Sequence, residues 1–84
     1  MPAFDYAAPA EIFGSGGFSR RRHPIPYRRF NTGAEAVRFA VEEIPASLLA
    51  GLIMEADENR FDHIEIRALY DSGDYPLERH DPAN

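Results

Sequence analysis

The sequence contains no cysteine, no tryptophan and no lysine. Without cysteine there is no disulfide framework, no thiolate nucleophile and no cysteine-ligated zinc site. No unbroken apolar run reaches the roughly 20 residues that a membrane-spanning helix needs, so no membrane contact is expected. The opening stretch MPAFDYAAPAEIF has no basic start and carries Asp5 early, which does not fit a secretory signal peptide. These absences make a cytoplasmic protein the expectation. The lack of lysine means that all nine basic residues are arginine. With abundant Ala and Pro, that is what a GC-rich coding sequence produces. It also supplies the planar guanidinium fork suited to phosphate and carboxylate.

What is present points to one small folded domain. The chain has 84 residues, 44% of them hydrophobic and 12% aromatic, which is enough to fold at least part of it. The net charge of -5 is unevenly laid out. Residues 1–41 hold six arginines against Asp5, Glu11 and Glu35, whereas residues 42–84 hold three arginines against eleven carboxylates. Five of the nine arginines fall in the ten residues RRRHPIPYRR at positions 20–29. A basic segment attached to an acidic domain suggests either a partner for the basic part or neutralisation against the acidic half.

Along the chain, residues 1–23 read as a flexible, Arg-rich arm, because Pro2, Pro9 and the run Gly14–Gly17 interrupt any regular pattern. A compact α+β domain of two short strands and two helices is expected over 24–78, with 79–84 as a frayed tail. The prolines at 24 and 26 force an extended path, and the alternation of Tyr27-Arg28-Arg29-Phe30 continues it as a short edge strand over 25–30. Thr32 and Glu35 have the spacing of a capping box. The helix behind them, 33–44, puts Ala36, Val37, Ala40, Val41 and Ile44 on one stripe until Pro45 ends it. Residues 46–50 are read as a turn and 51–56 as the second strand, although Leu48, Leu49, Leu52 and Ile53 also suit a helical stripe. Asp62 and Glu65 repeat the capping pattern before a second helix over 63–70, against which stands a strand reading from the alternation of Ile64, Ile66 and Ala68. A domain this small is marginal by itself, and a homodimer that completes the core is one remedy.

The chemistry the residues can carry is limited. His23, His63 and His80 are the only histidines and show no metal-ligand spacing. The acidic run 55–62 fails the calcium-loop pattern, since Phe61 and Asp62 occupy positions that need a ligand and a glycine. No serine stands in a nucleophile context, and neither phosphate-loop motif is met. The expectation is a non-enzymatic protein with no metal and no cofactor. The candidate binding residues are Arg20, Arg21, Arg22, Tyr27, Arg28, Arg29 and Phe30, because guanidinium on phosphate with interleaved aromatic stacking is the chemistry of single-stranded nucleic-acid binding. A small regulatory or binding protein that contacts RNA or a ribonucleoprotein is therefore expected. The alternative is a protein-interaction module, an adaptor or regulator whose arm folds on an acidic protein surface.

Overall fold

The computed structural model describes residues 4–14, 25 and 27–78. In chain order these form β1 (Ala10–Gly14), β2 (Arg28–Phe30), α1 (Gly33–Glu42), a 3-10 turn over Ala46–Gly51, β3 (Leu52–Ala56), β4 (Asn59–Phe61) and α2 (His63–Asp71). The strands make one antiparallel sheet in the order β2-β1-β3-β4. The order of elements is thus strand, strand, helix, taken twice, with β1 and β3 as the central pair.

Period-two alternation decides which side of the sheet is buried. Ala10, Ile12 and Gly14 of β1 and Leu52, Met54 and Ala56 of β3 point inward, and the residues between them are half-exposed. Against that face pack Ala36, Val37 and Ala40 of α1 and Ile66 and Tyr70 of α2, which with the strand residues join one apolar core. Among the described residues, no helix covers the other face of the sheet.

Two expectations are corrected here. The sheet has four strands, not two, and residues 10–14 of the expected arm are one of its two central strands. β1 escapes a sequence reading because its buried side shows only Ala10, Ile12 and Gly14, so a single large apolar residue carries the alternation between Pro9 and the glycine run. β4 is hidden by the acidic turn before it. Residues 15–24 and 79–84 lie outside the described residues, and with them the readings of a flexible segment and a frayed tail. In chain order, Arg20–Arg22 fall in the connection between two paired strands, not in a terminal extension.

Local signals explain the rest. Thr32 caps α1, its Oγ1 accepting from the Glu35 N–H at 3.2 Å, but the return bond from the Glu35 side chain is absent. The box is complete at α2, where Asp62 accepts from the Glu65 N–H and the Glu65 carboxylate accepts from the Asp62 N–H, both at 2.9 Å. The helical reading of 63–70 therefore holds over the strand reading. α1 stops at Glu42, two residues short of expectation, since Pro45 bars Ile44 from helical geometry. The β3–β4 hairpin turns on Asp57 and Glu58, whose φ of 52° and 67° are the left-handed values a two-residue hairpin loop demands.

The N-terminal segment is tied down too. The Tyr6 carbonyl accepts from the Ala34 N–H at 2.9 Å, satisfying one of the unpaired donors at the start of α1. The Tyr6 hydroxyl donates to the Leu69 carbonyl near the end of α2. Phe4 packs edge-on against Tyr6 and Phe61. At the other terminus, Tyr75 is buried and donates to the Ala34 carbonyl at 2.9 Å.

Candidate functional site

β2 is an outermost strand, and its neighbours distribute the candidate residues between the two faces of the sheet. Arg28 lies opposite Ile12, so it points to the helix side; Arg29 lies opposite Glu11 and points to the open side. The guanidinium of Arg28 rests over the rings of Phe30 and Phe39, 5.1 and 5.0 Å from their centroids. Those rings are themselves in contact, with centroids 5.2 Å apart. Phe39, at the margin of the α1 stripe, thus anchors the strand that precedes its own helix.

An open cleft of about 530 Å³ runs between β2 and α1, lined by Arg28, Arg29, Phe30, Arg38, Glu35 and Glu43 among others. Arg38 was not among the sequence candidates. It stands on the polar side of α1, one helical turn beyond the capping residues, and only the packing of α1 beside β2 brings it to the other two arginines. The signal available in the sequence was its position opposite the apolar stripe, which marks exposure but not neighbours. Three guanidinium groups and two carboxylates therefore share the cleft.

On the open side, Tyr27 and Arg29 converge on one carboxylate. The Tyr27 hydroxyl donates to Glu11 Oε2 at 2.9 Å, and Arg29 Nη1 lies 4.0 Å from the same oxygen. The hydrogen bond to Glu11 holds the Tyr27 hydroxyl above its ordinary pKa, because losing the proton would set two anions side by side. Of the seven sequence candidates, Arg28 and Phe30 are gathered with Arg38 on the helix side, Tyr27 sits across the sheet, and Arg29 borders both the cleft and the Glu11 side. The interleaved arginine and aromatic residues of 27–30 are distributed between the two faces by the alternation of the strand. Arg20, Arg21 and Arg22 lie outside the described residues.

Among the described residues no group of three or more His, Asp or Glu is placed to hold a metal ion. No helix among them is long and apolar enough to cross a membrane. No family model, curated protein or solved structure matches the chain.

Proposed function

We propose that this chain is a small non-enzymatic binding protein whose arginine-rich side contacts RNA or a ribonucleoprotein. The observation that carries the reading is the cleft in which Arg38 of α1 joins Arg28 and Arg29 of β2 beside aromatic rings. Guanidinium groups grip phosphate oxygens, and rings stack on unpaired bases. Arg20–Arg22 belong to the chain between β1 and β2, so their backbone is tethered to the same sheet at both ends. α1 carries a single arginine on its exposed side, too few for a helix that reads the major groove of DNA.

A second reading, an acidic protein partner, draws on the outer edge of β2. No strand pairs there among the described residues, and an added strand with carboxylates would meet Arg28 on one face and Arg29 on the other. A second copy of this chain fits that edge poorly. An antiparallel β2–β2 pairing sets arginine against arginine, and like charges directly opposite are destabilising.

Fluorescence anisotropy of the full chain with a labelled single-stranded RNA octamer, at low and moderate salt, separates the readings. The RNA reading expects salt-sensitive binding that weakens in Arg28→Gln and Arg38→Gln. No binding at low salt, with saturable binding of a polyglutamate peptide, would move the assignment to a protein partner.

A further inference from the structure

We infer that unstacked bases of the RNA lie on the open face of the sheet, with Tyr27 and Phe13 as stacking rings and Arg29 and Arg60 as phosphate contacts at its two rims. This rests on the RNA reading above and adds to the helix-side cleft a second surface, reached from it across Arg29 at the edge of β2.

The register builds that face in transverse rows. Glu11 lies opposite both Arg29 and Glu55, and Glu55 lies opposite Arg60, so one row crosses the sheet as cation, anion, anion, cation. Two carboxylates directly opposed on neighbouring strands repel. Each is met by the arginine of its outer strand, Arg29 at 4.0 Å and Arg60 at 3.3 Å. Both arginine side chains remain well exposed, 63% and 69%. A guanidinium has five N–H donors and one carboxylate oxygen occupies at most two, so each arginine keeps donors for phosphate. Three strand spacings place the two rims about 14 Å apart.

The adjoining row is apolar. Phe13 lies opposite Ile53, and both are half-exposed. Tyr27, two residues before Arg29, is 63% exposed. The Arg60 guanidinium lies 5.8 Å from the Phe13 ring centroid, in the place a stacked base would take. A planar cation and a planar base compete for the same ring face.

Charge decides between a nucleic acid and a protein on this face. The centre of a protein–protein interface is depleted of charged residues, whereas this one has Glu11 and Glu55 at its centre. A base offers what those carboxylates accept, an exocyclic amino group, and the pairing of an acidic side chain with the amino group of cytosine is an established contact. The arrangement of cationic rims, rings and central acceptors matches a strand with phosphates outside and bases inward.

The test uses the full chain and a labelled octacytidine. Tyr27→Ala and Arg60→Gln should each weaken binding, the former by roughly 5- to 100-fold, and Tyr27→Phe, which keeps the ring, should restore it. Amide NMR shifts on adding RNA to the unaltered protein give a second readout that needs no variant, and they should fall on Phe13, Ile53 and Arg60. If octacytidine binds but Tyr27→Ala and Arg60→Gln bind equally well, with shifts confined to Arg38 and Phe39, the helix-side cleft is the site and this inference is wrong while the RNA reading stands. If octacytidine does not bind at any salt, the RNA reading itself fails.

Discussion

At the scale of single residues, Tyr27 and Gly33 show how one contact fixes a local outcome. Tyr27 is held protonated by its bond to Glu11. A phenol whose pKa is raised on folding adds stability that is present below the unfolded value of about 10 and is lost as pH rises through the folded value. Ring carbon NMR of Tyr27 should report ionisation above that of a free tyrosine, and Glu11→Gln should bring it down; an identical titration in both proteins would contradict the assignment. Gly33 opens α1 beside Phe4. A Cβ there would lie 2.6 Å from Phe4 Cζ and 3.3 Å from the Asp5 carbonyl oxygen. Alanine is the better helix former by about 1 kcal/mol in a helix interior, but overpacking costs about 1–3 kcal/mol, and the ring cannot swing away without leaving Tyr6 and Phe61. Gly33→Ala should therefore lower the urea midpoint. The loss should shrink in the background of Phe4→Ala, where the ring is gone.

At the scale of elements, β1 is one of the two central strands, hydrogen-bonded on both sides, to β2 and to β3. A detachable arm at 1–23 would leave a folded domain when removed. With β1 in the centre of the sheet, deleting residues 1–22 removes Ile12 from the core and leaves β2 with no strand beside it. The truncated chain should show no cooperative thermal transition and a collapsed amide spectrum. A well-dispersed spectrum from residues 23–84 would refute the central placement of β1. The sequence reading succeeded where local chemistry suffices. Both helices, both N-caps, the turn before β3 and the strand expected over 25–30, of which 28–30 is strand, are written in residues a few positions apart. It failed where pairing partners supply the stability. A strand such as AEIFG sets Ile12 and Phe13 side by side on opposite faces, so it lacks a clean alternation, and β4 is only three residues long. The candidate site was legible in the same measure. Arg28, Arg29, Tyr27 and Phe30 are local, but Arg38 and Arg60 join them only through the packing of α1 and the pairing of β3 with β4.

At the scale of the whole molecule, the β3–β4 turn puts negative charge at one end of the sheet, beyond the row in which Arg29 and Arg60 meet Glu11 and Glu55. Asp57 and Glu58 of that turn line an open hollow of about 320 Å³ together with Glu11, Glu55 and Arg29. The chain carrying Arg20–Arg22 leaves from Gly14 and re-enters before Arg28, at the other end. A polyanion is thus repelled at the turn and by the net charge of -5, and attracted by the exposed Arg29 and Arg60. Binding on those terms should be weak and strongly dependent on salt. For single strands, log K falls against log salt by about 0.7 per phosphate neutralised, so about five contacts give a slope near -3.5. Replacing Arg20, Arg21 and Arg22 together by Gln should reduce that slope by about 2 units. An unchanged slope in the triple variant would show that the arginines of β2, α1 and β4 carry the phosphate contacts alone, and that the tract between β1 and β2 serves some other end than the polyanion.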